Sequence, residues 1–168
     1  SNEGMKVLVY GSKGWIGKQF IQLLKEQEIN FCRGFARVEL IEETKKEILL
    51  YCPTHIISFI GRTHGPGYNT IDYLEQPGKL VENLRDNLYA QVCLAKICSS
   101  FNIHYTCIGT GCIFEYDEDH PMNGDNKFEE HEKPNFFGSS YSIVKGFTDM
   151  IMQQYENTVL NLRIRLPV

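Results

Sequence analysis

An α/β fold, a doubly wound parallel sheet of about six strands with helices on both faces, follows from three features of this 168-residue sequence. Short apolar runs alternate with longer stretches whose apolar residues recur every three or four positions. The first and third of these runs stop at a glycine, as a buried strand does before a turn. The first run also leads through a glycine-rich turn straight into a helical pattern. Strands alternating with helices imply parallel pairing and right-handed crossovers that cover both faces of the sheet.

Taken in order, Met5 to Tyr10 (Met-Lys-Val-Leu-Val-Tyr) reads as a buried parallel strand. Gly11-Ser-Lys-Gly14-Trp-Ile-Gly17 follows, and a helix is expected from Trp15 to Gln27 with Ile16, Phe20, Ile21, Leu23 and Leu24 inward. Strand, glycine turn and helix in this order suit a dinucleotide: the glycines let the backbone approach a pyrophosphate, which rests on the free N–H groups of the helix. A tight turn without a ligand is the alternative. Ile29 to Cys32 is a second strand, whose end reaches toward an adenosine ribose. No acid stands there before Glu39, whereas Arg33 and Arg37 suit a 2′-phosphate, so NADP (as NADPH) is expected over NAD. Two solvated surface arginines would be the plainer reading.

Ile41 to Tyr51 makes a helix with a charged face, stopped by Pro53, and His55 to Ile60 is a third strand before Gly61. The loop from Gly61 to Gly78 is polar, irregular and long enough to be a functional candidate. One long helix is expected over Lys79 to Phe101, carrying Leu80, Leu84, Leu88, Val92, Leu94, Ala95 and Cys98. His104 to Ile108 is a strand followed by Gly109-Thr110-Gly111-Cys112, where open α/β sheets put their reactive groups. Asp117 to Phe137 is a polar, acidic loop, and Thr158 to Leu166 is the last strand.

Between them, Ser139 to Tyr155 has helical spacing and contains Tyr141 and Lys145, four positions apart on one face. An ammonium beside a phenol favours the ionised phenol, whose ordinary pKa is about 10, and makes it a proton donor and acceptor near neutral pH.

A net charge of −4 and the lack of a Lys/Arg-rich run argue against a nucleic-acid surface. No apolar stretch approaches the roughly 20 residues that span a bilayer. No signal peptide precedes Met5, so a cytoplasmic protein is expected. The six cysteines lie mostly in apolar runs without metal-ligand spacing and are read as reduced and buried. The five histidines are scattered, so no metal is expected. Residues 1–4 are taken as an appended or disordered tail and residues 5–168 as one NAD(P)-binding Rossmann domain.

The glycine turn, Asn87 in the long helix, Thr110 after a strand, and Tyr141 with Lys145 together resemble the extended short-chain dehydrogenase/reductase superfamily. Finer phrases are Gly14-Trp-Ile-Gly17, Gly61-Arg62-Thr63, Thr110-Gly-Cys112-Ile-Phe-Glu-Tyr-Asp117, Pro134-Asn-Phe136 and Leu162-Arg-Ile-Arg-Leu-Pro167. They are similar to the bifunctional nucleotide-sugar 3,5-epimerase/4-reductases of UDP-L-rhamnose synthesis, relatives of dTDP-4-dehydrorhamnose reductase. The resemblance implies a UDP- or dTDP-4-keto-6-deoxy sugar as substrate, inverted at C3 and C5 through an enolate and then reduced at C4. It implies Thr110 and Tyr141 as the hydroxyl pair on the C4 oxygen, Lys145 as the partner of Tyr141 and of the nicotinamide ribose, and Cys112 as an epimerisation acid or base. A small apolar filler is the other reading of Cys112.

The implied cofactor contacts are Gly11, Lys13, Gly14, Trp15, Ile16, Gly17, Arg33, Arg37, Phe59, Ile60, Gly61, Thr63, Asn87, Tyr141, Lys145 and Pro167. A homodimer is among the expected assemblies. Enzymes of this kind carry a C-terminal half that forms much of the sugar-nucleotide site. The chain is therefore expected to be an N-terminal domain, with a second epimerisation residue beyond Val168, that binds NADPH with little turnover alone. The competing readings are a simple 4-keto-sugar reductase, another nucleotide-sugar epimerase, and a non-catalytic NADP-binding regulatory subunit.

Overall fold

A computed structural model describes residues 4–110, 138–155 and 157–164. Five strands, β1 (Lys6–Tyr10), β2 (Asn30–Arg33), β3 (His55–Ser58), β4 (His104–Thr110) and β5 (Val159–Ile164), form one parallel sheet in the order β2-β1-β3-β4-β5. The expected count of about six is one too high for the described residues. Each apolar run supplies one strand, and the chain returns from β2 to β3 through α2 (Ile41–Tyr51) without adding a strand outside β2. The order reverses between β1 and β3, so a crevice opens at their C-terminal ends, the usual ligand position in such sheets.

Helix α1 (Trp15–Glu26) packs Ile21 and Leu24 against Val7, Val9 and Ile57, with Phe20 alongside. Leu23, expected inward, is about half exposed. The other face of the sheet carries the larger core, Leu8, Ile56, Tyr105 and Cys107 against Ile48, Leu94, Ile97, Cys98 and Met152. Both faces are covered, as continuous apolar strands require.

The helix expected over Lys79 to Phe101 is α3 (Leu80–Leu84), a single π turn (Arg85–Tyr89) and α4 (Ala90–Phe101). The π turn is marked by the Ala90 N–H bonding to the Arg85 carbonyl, five residues back. Its buried stripe is polar: Asn83, Asn87 and Gln91 are at most 1% exposed, whereas Leu80 and Leu84 are 54% and 41% exposed. Helix α5 (Ser140–Gln153) packs against this π turn and against β4 and β5, and starts at Ser139, whose hydroxyl accepts the Ser142 N–H at 3.0 Å.

Among the described residues no helix is long and apolar enough to cross a membrane, and no three His, Cys, Asp or Glu side chains gather as a metal site. Cys93, Cys98 and Cys107 are buried free thiols, whereas Cys52 is exposed.

Candidate active site at the sheet's C-terminal edge

A cleft of about 430 Å³ lies where the strand order reverses. Gly11, Lys13 and Gly14 line it from the turn after β1, Arg33 from the end of β2, and Phe59, Ile60, Gly61 and Arg62 from the end of β3. The backbone dictates the glycines. Gly11 has φ +70°, and a Cβ there would stand 2.7 Å from the Ile60 nitrogen. At Gly17 a Cβ would stand 2.5 Å from the Gly11 carbonyl oxygen, so the first turn of α1 lies directly on the loop.

Gly14 precedes α1 with no side-chain cap, and no acidic residue occupies the helix's first turn. The open N–H groups of that turn suit a pyrophosphate. A larger open groove of about 510 Å³ runs along the outer face of α1, past Phe20, Leu23 and Phe59. It lies beside the helix rather than at the strand ends, and Glu26 is its single ionisable lining residue.

The far wall is built by the polar stripe of the α3–α4 run. The Asn87 amide accepts the Arg62 N–H at 2.8 Å, donates to the Arg62 carbonyl at 2.8 Å and donates to Asn83 at 2.9 Å. Gln91 donates to the Ile60 carbonyl at 2.8 Å and accepts the hydroxyl of the buried Tyr105 at 2.5 Å. These bonds fix the β3 exit, whose backbone has left the sheet and needs other partners. Asp86, also on the cleft, meets Arg85 at 2.9 Å and Arg62 at 3.3 Å. Burial alone would raise the Asp86 carboxyl, but the hydrogen bonds and charges of Arg85 and Arg62 outweigh it and hold the pKa below the usual value.

Tyr141 and Lys145 are both buried on α5. The Lys145 ammonium donates to the Ile108 carbonyl of β4 at 3.0 Å, two residues before Thr110. Burial pulls the Lys145 pKa down, partly opposed by the Cys107 thiol and the Asp149 carboxylate. Thr148, farther along α5, lies 2.6 Å from the Asn87 carbonyl, joining this helix to the π turn.

The residues marked from sequence thus fall in several places, with Gly17 in the first turn of α1, directly on the loop. Gly11, Lys13, Gly14, Arg33, Phe59, Ile60 and Gly61 line one cleft. Asn87, Tyr141 and Lys145 stand on the two helices beside it, and Thr110 ends β4. Trp15 is largely exposed, Ile16 faces the outer groove, and Thr63 contacts His64 on the exposed loop. Arg37 does not line the cleft: its guanidinium meets Glu39 at 2.8 and 2.9 Å. Cys112 and Pro167 lie outside the described residues. Sequence reading missed Asn83, Asp86 and Gln91; the i, i+4, i+8 spacing of Asn83, Asn87 and Gln91 was the available signal.

No protein-family model matches the chain. It is similar to the crystal structure of a UDP-rhamnose synthase from Acanthamoeba polyphaga mimivirus, with a TM-score of 0.90 and 53% identity over 98% of this chain and 57% of that one. A bifunctional dTDP-4-dehydrorhamnose 3,5-epimerase/dTDP-4-dehydrorhamnose reductase of Arabidopsis thaliana is 34% identical over 100% of this chain and 54% of its own length. At 16% identity, the dTDP-4-dehydrorhamnose reductase of Bacillus anthracis, solved with NADP, shares the fold with a TM-score of 0.77. The chain spans about half the length of these relatives.

Proposed function

This chain is a relative of the rhamnose-forming epimerase/reductases, and we propose that it is the NADPH-binding, proton-transferring part of a nucleotide-sugar 3,5-epimerase/4-reductase. The substrate in this reading is UDP-4-keto-6-deoxy-glucose, the product UDP-L-rhamnose, and the site of action the cytoplasm. Residues 5–168 form its dinucleotide domain.

One observation carries the reading. The bond from Lys145 to the Ile108 carbonyl docks the Tyr141 helix onto the strand that ends in Thr110, beside a cleft shaped for a dinucleotide. The C4 ketone acidifies the protons on C3 and C5. Thr110 and Tyr141 hydrogen-bond the C4 oxygen and stabilise the enolate formed when either proton leaves. Cys112 moves a carbon-bound proton during epimerisation. In the reduction Tyr141 delivers a proton to the C4 oxygen. Lys145 keeps a positive charge next to the phenol and reaches the nicotinamide ribose. When bound, NADPH supplies the hydride.

The turn 11–17 and the first N–H groups of α1 would hold the pyrophosphate, and Arg33 with Lys13 would face a 2′-phosphate. A homodimer completes the reading. Its support is the pair of apolar side chains, Ile143 and Phe147, that α5 leaves exposed.

The test is turnover of UDP-4-keto-6-deoxy-glucose with NADPH by the full-length protein, followed by product analysis and by deuterium uptake at C3 and C5. Tyr141→Phe is expected to lower the reduction rate by about 10²–10⁴-fold, the range for loss of a positioned proton donor. Cys112→Ala is expected to abolish exchange at C3 or C5 while leaving reduction of an already epimerised sugar. Rhamnose formation at the wild-type rate by Tyr141→Phe would refute the assignment.

A further inference from the structure

Past the cleft-lining residues that follow β3, the stretch from Gly65 to Gly78 is unused by the mechanism above, yet it is tightly held. Gly65 and Tyr68 bridge each other through backbone bonds of 3.2 and 3.0 Å. A 3₁₀ turn, Ile71–Glu75, follows, with the Thr70 hydroxyl accepting the Asp72 N–H. Tyr73 is fixed on several sides. Its hydroxyl donates to Glu82 at 2.8 Å, the Lys79 ammonium lies 5.0 Å from its ring centroid, and Gly65 lies so close to the ring that a Cβ there would come within 2.3 Å of it.

This braced turn meets the start of α5. Tyr73 and Leu74 form a buried apolar cluster with Tyr141, and Ile71 packs against it. The Glu75 carboxylate accepts the Ser140 N–H, the first of α5 and adjacent to Tyr141. Asn83 of α3 donates to the Ser140 hydroxyl at 3.0 Å. A helix leaves its first N–H groups without internal partners. Here Ser139 serves the Ser142 N–H and Glu75, distant in sequence, serves that of Ser140. The helix start and the phenol packed beside it are therefore held by one segment.

We propose that Glu75 is a positioning residue for Tyr141, and that the turn Ile71–Glu75 is a fixed splint setting where the phenol meets the sugar's C4 oxygen. The inference rests on the proposed function, because a position for the phenol matters only if the phenol reacts. The acceptor atom does the work, so a glutamine at this position retains it and an alanine does not. Small displacements of a reacting group cost rate rather than ground-state binding when the group acts mainly in the transition state.

The experiment compares Glu75→Ala and Glu75→Gln with wild type in the full-length protein, reading kcat and KM for the 4-keto sugar, the Kd of NADPH, and the melting temperature. Glu75→Ala is expected to lower kcat by about tenfold or more, with KM and the NADPH Kd within about twofold of wild type, and Glu75→Gln to recover most of the loss. An unchanged kcat in Glu75→Ala overturns the proposal. So does a parallel worsening of kcat, KM and NADPH binding, the mark of a general structural role, and so does a glutamine variant as impaired as the alanine. A wild-type protein inactive on the sugar overturns the functional reading and this inference together. An active wild type with an indistinguishable Glu75→Ala overturns this inference alone.

Discussion

Arg33 and Arg37 stand four residues apart after the same strand, and the structure gives them different surroundings. Arg33 ends β2, exposed at the cleft, with its guanidinium 5.6 Å from the centroid of the Phe31 ring. Arg37 is bonded to Glu39. A guanidinium resting on an aromatic face keeps its donors available to a phosphate, whereas one forked onto a carboxylate has committed them. Arg33→Ala is therefore expected to weaken NADPH binding by about 10–100-fold, since hydrogen bonds to charged groups are worth about 1.5–3 kcal/mol. NADH affinity should be nearly unchanged, and Arg37→Ala should alter neither. Calorimetric titration of the three proteins with both cofactors checks this, and equal losses in the two arginine variants would contradict it. Both arginines and Glu39 were legible in the sequence. That Arg37 turns to Glu39 was not, because the pairing depends on how the backbone after β2 bends.

At the scale of elements, the α3–α4 run departs most from its sequence pattern. Leu80, Leu84 and Leu88, spaced four apart, suggest an apolar stripe along the helix, yet the stripe that is buried is Asn83, Asn87 and Gln91. The β3 exit explains the inversion: Ile60 and Arg62 have backbone groups beyond the sheet ladder, and amide side chains can serve them where leucines cannot. The π turn inserts an extra residue in the turn that holds Asn87. Spacing analysis did not find it because the leucines keep a period of four through the turn. Asn87→Ala removes the side-chain partner from both the N–H and the carbonyl of Arg62. It is expected to lower unfolding free energy by about 1–3 kcal/mol, the cost of stranded polar groups, as read from urea denaturation of this chain. NADPH affinity should fall with it, because Arg62 lines the cleft. By contrast α1 and α2 follow their predicted spans closely, since their apolar faces meet apolar strands. Helix α5 keeps its span too, although its buried face mixes Val144 and Met152 with Ser142, Lys145, Thr148 and Asp149.

For the molecule as a whole, burial of acidic protons sets the alkaline limit. Burial pushes the Cys98 and Cys107 thiols from 9.0 up to about 12, Lys145 partly opposing this at Cys107. Burial raises the Tyr10 phenol too, with the Glu47 hydrogen bond and charge adding to it, and raises that of Tyr105. A raised acid in the folded state means that the native protein holds protons the unfolded chain releases, so this contribution is fully present below pH 9.0 and is lost between 9.0 and about 12. The urea midpoint should hold steady near neutrality and fall progressively above pH 9, with a shallower fall in the Cys98→Ala/Cys107→Ala double variant. A midpoint that rises with alkali would refute this. The sheet order has a consequence for biosynthesis. Strand β1 finds both neighbours within the chain up to Ser58, and β4 and β5 are then added beyond β3, on one side, in the order in which they are made. A polypeptide emerging from the ribosome can thus close its glycine turn early and grow its sheet outward, each newcomer docking on the last, with no pairing undone.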